Sequence, residues 1–273
     1  MTVSTADSTF VRHLVQDQSS ITLGEDKAYL IEARLAPLAR REGLGSVAEL
    51  INVLRSGEVG LRDQVVDALA TNETWFFRDL HPFEALREQV IPAVLAANGG
   101  KRLSMWSAAA STGQEAYSLA LLVLEHFPDV PHPTILGSDL SEDVLERARA
   151  GCFSQFEVNR GLPVSLLVKY FSQRGIRWQL DDRVRSMVTF RQLNLSRPLP
   201  PMATMDVILL RNILIYFEPP TRAAVLGRVV QVLRPGGYLL LGSTETTYGL
   251  GSMFQPVQCG RATCYQLSDG SAP

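Results

Sequence analysis

Polar side chains that could bind a small molecule follow two predicted strands. Asp139 follows a strand predicted at 133–138, and Arg211 and Asn212 follow a continuous apolar strand predicted at 205–210. Because the carboxyl ends of parallel strands meet at one edge of a sheet, we expect these groups to line a common crevice. A carboxylate there can accept both ribose hydroxyls of a nucleoside. The alternative for Asp139 is a helix cap, although Ser141 fits that position better.

A third feature that could bind a ligand precedes these two in the chain. Residues 103–106 predict a short buried strand, 107–113 are all small, and 114–125 have helical spacing of apolar residues. Strand, small-residue turn and helix form the first unit of a nucleotide-binding α/β sheet. The turn holds a single glycine, Gly113, which disfavours a dinucleotide because two phosphates need several glycines. A turn without a ligand remains an alternative.

Aromatic and polar residues alternate in the segment that precedes this sheet. Trp75, Phe76 and Phe77 form one block beside Asn72, Thr74 and Arg78. This mixture suits the wall of a small-molecule pocket, and a linker whose aromatics fill a domain interface is the alternative. Tyr216, after the 205–210 strand, is either another wall of the crevice or part of the core.

Composition limits the class of protein. The chain has 273 residues, 46% of them hydrophobic, and a net charge of −2, so nothing global indicates binding to nucleic acid or an anionic membrane. No signal peptide is evident, and no apolar run reaches the length of about 18 residues that a membrane span requires. The three cysteines have no metal-binding pattern, so we expect no metal and a reduced, cytoplasmic protein.

The element pattern predicts two domains and a small insert. Residues 1–80 are helical, with helices at 10–15, 29–38, 47–54 and 61–69 and a linker at 71–80; residues 81–273 form the α/β domain. Pro37 is expected to kink or split its helix. Residues 176–180 and 187–193 alternate like strands around Asp181 and Asp182, which predicts either an antiparallel β-insert, at about 165–187, or a further strand of the sheet. Residues 234–237 predict a turn, 253–267 predict one or two edge strands, and 268–273 are expected to be disordered.

A local basic run interrupts the otherwise acidic helical domain. At 100° per residue Lys27, Arg34 and Arg41 share one helix face, with Arg40 beside them. The run is either a docking surface for an acidic protein or an ordinary solvated helix face.

Three motifs in order resemble a known family. Thr-Asn-Glu-Thr-x-Phe-Phe-Arg-Asp at 71–79, Ser-Thr-Gly-x-Glu-x-Tyr-Ser at 111–118 and Arg-Asn-x-x-x-Tyr-Phe at 211–217 resemble the chemotaxis receptor methyltransferases, the CheR family of class I S-adenosylmethionine (SAM) methyltransferases. The resemblance spans nearly the whole chain. It implies a Rossmann-like α/β domain, an N-terminal all-helical domain and a small inserted antiparallel β-subdomain.

The same resemblance implies a reaction and its residues. The reaction is methyl transfer from SAM, which becomes S-adenosylhomocysteine, to glutamates on the cytoplasmic helices of methyl-accepting chemotaxis receptors. Tyr216 would lie near the transferred methyl, and Arg34 and Arg40 would face the acidic receptor helices. Arg78 would hold a carboxylate, either that of the cofactor or that of the incoming glutamate. The implied cofactor site comprises Asn72, Thr74, Arg78, Glu115, Asp139, Asn194, Leu195, Arg211 and Asn212.

The sequence departs from the family where some members bind a receptor's C-terminal pentapeptide. Such members have a longer glycine-rich loop after the position of Phe171, whereas only 172–175 separate Phe171 from the next predicted strand. We therefore expect that this chain needs no pentapeptide tether. A monomer is the simplest assembly. The alternative functions are methylation of another protein or a small molecule, and an idle SAM-binding module.

Overall fold

In a computed structural model, the chain divides into two compact units. One comprises Met1–Thr71 with Ile215–Arg222, and the other comprises Asn72–Leu214 with Ala223–Pro273. The residues described are 3–131, 133–247 and 253–268. Within them, no helix has both the length and the apolar character needed to cross a bilayer.

Four helices form the helical unit. Their buried faces recur at the predicted helical spacing, for example Leu50, Ile51 and Leu54, which are all fully buried. The side chain of Ser46 caps the third helix by accepting from the backbone N–H of Glu49. The helices are α1 Thr5–Ser19, α2 Ala28–Arg41, α3 Val47–Arg55 and α4 Val59–Leu69.

Pro37 was expected to kink or split its helix, and the split is wrong, because α2 runs as one helix from Ala28 to Arg41 with Pro37 inside it. A proline leaves the carbonyl four residues earlier, that of Ala33, without its helical donor. Both Ala33 and Pro37 are exposed, so water can satisfy that carbonyl. The buried side of the helix keeps it continuous, with Ile31, Leu35, Leu38 and Ala39 in the core.

The second unit is built on a seven-stranded sheet in the order β6-β2-β1-β7-β8-β10-β9. Strands β6, β2, β1, β7 and β8 are parallel, and β10 and β9 are antiparallel additions at one edge. The strands are β1 Ser104–Ala108, β2 Thr134–Asp139, β6 Val188–Gln192, β7 Met205–Leu210, β8 Leu233–Leu241, β9 Phe254–Cys259 and β10 Ala262–Leu267.

Helices follow or connect these strands, as a doubly wound sheet requires. The helical segment predicted at 82–98 is present, but its middle, Leu86–Val90, is a π-helical turn just before Pro92, which has no N–H to donate. The helices of this unit are α5 His81–Ala85, α6 Ile91–Asn98, α7 Gln114–His126, α8 Glu142–Ala150, α9 Gln155–Asn159, α10 Val164–Tyr170, α11 Asp182–Arg185 and the greater part of α12 Pro219–Val232, from Ala223 onward.

A second, three-stranded antiparallel sheet lies between α8 and β6 in the chain. Its order is β3-β5-β4, with β3 Cys152–Ser154, β4 Phe171–Arg174 and β5 Arg177–Leu180. The predicted insert at about 165–187 therefore omits β3, which is too short to show an alternating pattern. The segment after Asp181 forms α11 and then β6, which pairs in parallel with β2, so the alternative of a further sheet strand is the correct one for 188–192.

The predicted turn at 234–237 is instead an irregularity inside β8. Met205 pairs with Leu233 and Val207 with Tyr238, so four residues bulge out of the ladder between two paired positions. Of the one or two edge strands predicted at 253–267, two are present, β9 and β10. The expected disorder falls outside the described residues except at Ser268, whose N–H donates to the carbonyl of Met253 at 3.0 Å.

Candidate active site

The strand order reverses between β1 and β7. The chain passes from β1 outward through β2 to β6, then returns to β7 on the other side of β1. Loops that leave the carboxyl ends of such neighbours diverge and open a crevice, which is where α/β sheets bind ligands. Of the predicted site residues, Asp139 ends the neighbouring strand β2, and Arg211 and Asn212 directly follow β7, all at the same edge of the sheet.

Strained backbone concentrates at the same edge. Within the described residues, seven non-glycine residues have positive φ, and six of them lie in the linker or in the loops after β1 and β7. Such conformations cost about 1–3 kcal/mol each and persist where surrounding contacts enforce them, commonly at binding sites. The six are Phe77, Asp79, Leu80, Ala109, Ser111 and Asn212.

Gly113 has a packing role that the sequence did not reveal. Its φ is 93°, and a Cβ atom there would lie 2.9 Å from the Cβ of Ala148 and 3.0 Å from the ring of Phe190. Its small size therefore lets the loop after β1 pack against α8 and β6.

Asp139 is held by backbone donors on both oxygens. Its Oδ2 accepts from the N–H of Ser111 at 2.8 Å, and its Oδ1 accepts from the N–H of Ser141 at 3.1 Å. Burial is the largest influence and raises the pKa of the Asp139 carboxyl, against the lowering effect of these hydrogen bonds. Ser141 caps α8 through its side chain, as expected, so Asp139 is not needed for that cap.

Glu115 and Arg211, both predicted to line the cofactor site, pair with each other. Nη1 of Arg211 lies 2.8 Å from Oε2 of Glu115, and the other carboxylate oxygen of Glu115 accepts from Ser107 Oγ at 2.7 Å. Nη2 of Arg211 bonds to Asp79 Oδ2 at 2.7 Å and to the carbonyl of Arg78 at 2.9 Å. Arg211 thereby ties the linker to β7 and α7. The sequence analysis gave no role to Asp79, although it is the last residue of the motif at 71–79, or to Ser107, the first of the small residues at 107–113.

Asn212 combines strain with an unpartnered polar atom. Its φ is 58°, and its Oδ1 is buried without a hydrogen-bond partner in the described structure. Glu245 holds this turn by accepting from the N–H groups of Asn212 at 2.8 Å, Leu214 at 2.7 Å and Gly242 at 2.7 Å. Glu245 was missed because a carboxylate that binds backbone N–H groups leaves no side-chain pattern to recognise. It lies in the loop between β8 and β9, of which residues 248–252 are outside the described ranges.

The linker is anchored by its aromatic block. Phe76 is fully buried and packs edge-on against Phe153 at 5.0 Å and Phe171 at 5.8 Å between ring centroids. It therefore belongs to the core of the α/β unit rather than to a pocket wall. The carbonyl of Asn72 accepts from Ser111 Oγ at 2.9 Å, which joins the start of the linker to the loop after β1.

The other predicted cofactor residues of this unit are partly buried or lie in a turn. They are Arg78, Thr74, Asn194 and Leu195. Arg78 and Thr74 are half-buried, and the Nε of Arg78 is an unpartnered buried atom. Oδ1 of Asn194 accepts from Ser196 N–H at 2.9 Å and from its hydroxyl at 2.7 Å, which fixes a turn just after β6. Leu195 is buried beside it.

Three predicted residues belong to the helical unit. Arg34 and Tyr216 line one small cavity there, of about 30 Å³, together with Lys27 and Thr71. Nη1 of Arg34 donates to the carbonyls of Leu69 at 2.7 Å and Ala70 at 2.9 Å, whereas Arg40 is exposed. The carbonyl of Tyr216 accepts from the N–H of Thr22 at 2.9 Å.

The groups gathered in the α/β unit match the chemistry of SAM, which combines a nucleoside with an amino-acid tail. Asp139 offers a buried carboxylate whose oxygens keep free lone pairs for hydroxyl donors. The unpartnered Oδ1 of Asn212 can accept from an ammonium, and the unpartnered Nε of Arg78 can donate to a carboxylate. Unsatisfied buried polar atoms are rare in folded proteins, and a bound polar ligand is one explanation for them.

Comparison with known families decides the assignment. The all-alpha domain of CheR methyltransferases matches residues 6–70, and the SAM-binding domain of CheR methyltransferases matches residues 72–263. The chain belongs to the CheR methyltransferase family. The resemblance noted from the motifs and the predicted Rossmann-like fold are therefore confirmed, SAM is the cofactor, and the chain is a SAM-dependent methyltransferase.

Named relatives cover almost all of this CheR chain. Chemotaxis protein methyltransferase 1 of Pseudomonas aeruginosa is 38% identical over 273 residues, or 97% of this chain and 99% of the relative. Chemotaxis protein methyltransferase Cher2 of Pseudomonas putida has the same identity and coverage. A chemotaxis protein methyltransferase of Vibrio parahaemolyticus is 37% identical and covers 98% of both chains.

Proposed function

We propose that this CheR family member methylates glutamate side chains on the cytoplasmic helices of methyl-accepting chemotaxis receptors. The product is a γ-glutamyl methyl ester. The full-length similarity to proteins named chemotaxis protein methyltransferase supports the receptor as substrate. When bound, SAM supplies an electrophilic methyl group.

The observation that carries the glutamate assignment is that the site's carboxylates already have partners. Glu115 is paired with Arg211, and Asp139 accepts from two backbone N–H groups. Neither is placed as a free general base. A glutamate acceptor, with an ordinary pKa of about 4.3, is already ionised at neutral pH and needs no base. The chain's contribution is then positioning and the removal of water from the acceptor.

Each predicted residue keeps a distinct proposed role in holding the cofactor. Asp139 accepts from the ribose hydroxyls. Asn212 and Glu115 accept from the amino group of the amino-acid tail, since the oxygens of Glu115 retain lone pairs beyond their two present bonds. Arg78 pairs with a carboxylate, that of the tail or that of the substrate, through a charge-assisted bond. Asn72, Thr74 and Arg211 support the walls of the site.

The remaining roles concern the adenine and the substrate. Asn194 and Leu195 flank the adenine with one polar and one apolar side. Tyr216 orients the methyl group or the substrate. Arg34 and Arg40 present positive charge to the acidic receptor helices, which attracts them at long range.

The decisive experiment uses SAM with a radiolabelled methyl group and membranes that carry chemoreceptors. We expect label on a receptor band that mild base releases as methanol, because methyl esters hydrolyse readily whereas N-methyl groups do not. Asp139→Ala should remove the signal. Base-stable label, label on another protein, or no label would contradict glutamate methylation of receptors.

We also propose that the enzyme needs no pentapeptide tether. Strands β4 and β5 are joined by only Gly175 and Ile176, so the hairpin has no extended loop. Titration with the C-terminal pentapeptide of a tether-bearing receptor should show no binding up to about 1 mM, against a scrambled peptide as control. Saturable binding with a micromolar Kd would contradict this proposal.

A further inference from the structure

Two guanidinium groups form cation–π contacts with the indole of Trp75. The Cζ of Arg78 lies 4.2 Å from the ring centroid and the Cζ of Arg160 lies 3.9 Å from it. The indole is therefore in contact with both guanidinium groups at once. Both contacts fall within the distance at which a cation is attracted to the π-face of tryptophan.

Glu73 provides a second connection between the same two arginines. Its carboxylate Oε1 lies 2.7 Å from Nη2 of Arg160, and its carbonyl accepts from Nη1 of Arg78 at 2.9 Å. The Arg160 hydrogen bond is the largest influence on Glu73 and holds its carboxyl pKa below the ordinary value. The Trp75 ring and the Glu73 carboxylate, both in the linker, thus each contact Arg160, which lies between α9 and α10.

The backbone beside Arg160 is fixed against the linker. Gly161 has φ of 82°, and a Cβ atom there would lie 2.0 Å from the carbonyl oxygen of Phe76. Only glycine permits that approach, because a side chain would overlap the linker backbone. Since Phe76 is itself fully buried, Arg160 extends from a rigid base.

We propose that Arg160 is a positioning residue for Arg78. By stacking on Trp75 and pairing with Glu73, it sets the indole and the Glu73 carbonyl that orient the Arg78 guanidinium. The Nε of Arg78, which is buried and has no partner among the described residues, is then held in one place as a donor for a carboxylate. The inference rests on the proposed role of Arg78 and extends it to a residue between α9 and α10 that the motifs do not include.

A plain surface ion pair is the competing explanation, because the side chains of Arg160 and Glu73 are 38% and 55% exposed. Exposed pairs usually contribute little to stability. The two explanations differ in what they predict for ligand binding. If Arg160 and Glu73 form only a surface pair, substituting Arg160 leaves the affinity of the cofactor site unchanged. If Arg160 is a positioning residue, the substitution lowers that affinity although the protein remains folded.

Calorimetric titration with S-adenosylhomocysteine separates them. We expect Arg160→Ala to weaken binding about fivefold, the size of one lost stacking contact with its ion pair. Arg160→Lys should recover part of this loss, since lysine restores the charge but not the planar stack. Glu73→Gln, which keeps the carbonyl and removes the charge, should weaken binding by a smaller factor. Arg147→Ala is the matched control, because Arg147 forms an exposed pair with Glu157 near the same sheet and should bind as wild type does.

Acrylamide quenching of tryptophan fluorescence gives a readout without ligand. Removing Arg160 uncovers one face of Trp75, so quenching should increase in Arg160→Ala, and this increase should vanish in a Trp75→Phe background. Arg160→Ala binding within twofold of wild type, while Arg78→Ala weakens binding, would overturn the inference alone. If Arg78→Ala also binds as wild type does, Arg78 does not hold the carboxylate of the cofactor, and the inference, which concerns the cofactor site, fails with that role.

Discussion

The guanidinium of Arg211 and the carboxylate of Glu115 form a buried ion pair, with Nη1 2.8 Å from Oε2. The Arg211 side chain is 1% exposed and that of Glu115 is 10% exposed. The pair joins the carboxyl end of β7 to the first turn of α7. Two residues that the motifs assign separately to the cofactor are therefore also part of the frame that shapes the site.

We expect Glu115→Ala to lower the free energy of unfolding by about 3 kcal/mol even without cofactor, because it leaves Arg211 buried with less compensation. Urea denaturation of the apoprotein measures this loss. Glu146→Ala is the control, since Glu146 is exposed on α8 and should change stability by less than about 0.5 kcal/mol. Equal stability of the two variants would show that the pair is not structural.

Asp139 should make cofactor affinity pH-dependent. Its folded-state pKa is raised by burial above the ordinary 3.8, so the carboxyl takes up a proton at a higher pH than an exposed aspartate does. Binding of S-adenosylhomocysteine should hold steady above that raised pKa and weaken as the pH falls through it. Calorimetry over a pH series measures the effect.

Variants at this position provide the control for the pH series. Asp139→Ala should weaken binding at neutral pH by at least about tenfold, the equivalent of one hydrogen bond to a charged group. Asp139→Asn should bind S-adenosylhomocysteine weakly, and its affinity should not fall further at acidic pH, because asparagine does not titrate. Unchanged affinity in Asp139→Ala would contradict the ribose role.

Gly113→Ala should destabilise the protein by about 2 kcal/mol, from positive-φ strain together with the close contacts to Ala148 and Phe190. Gly227→Ala is a matched glycine substitution inside α12, where nothing lies within 4 Å of the new Cβ atom. It should raise stability by about 0.5–1 kcal/mol, because alanine is the better helix former. Thermal unfolding of both variants checks the opposite signs, and a stabilised Gly113→Ala would refute the packing role.

Arg34→Ala and Arg40→Ala should differ although both residues belong to the basic run. Arg34 donates to the last carbonyls of α4, so its loss should cost about 1–2 kcal/mol of stability in addition to any effect on receptors. Arg40→Ala should leave the melting temperature unchanged and raise the KM for receptor. Melting curves and receptor methylation kinetics, measured side by side, test this. A wild-type KM in both variants would indicate that the run is a solvated face.

Local patterns were enough to predict the four N-terminal helices, the parallel strands and the N-cap at Ser141. Each depends on spacing or on a side chain that bonds within its own turn, and both are visible in the sequence. The exceptions have nonlocal causes. Pro37 was expected to kink or split α2, but the packing of its buried face against the other helices, which keeps α2 unsplit, is not visible in a local window. Residues 234–237 were expected to form a simple turn, because the ladder between β7 and β8 is not visible there either.

The sequence by itself determined the identity of the site's chemical groups and their places at strand ends, since motif residues and strand order are properties of the chain. Only the tertiary structure decided which of these groups already have an ion-pair or stacking partner within the protein. The Arg211–Glu115 pair spans residues far apart in the chain, as does the Trp75 stack between Arg78 and Arg160. Such partners become neighbours through packing, and packing depends on every contact in the unit at once.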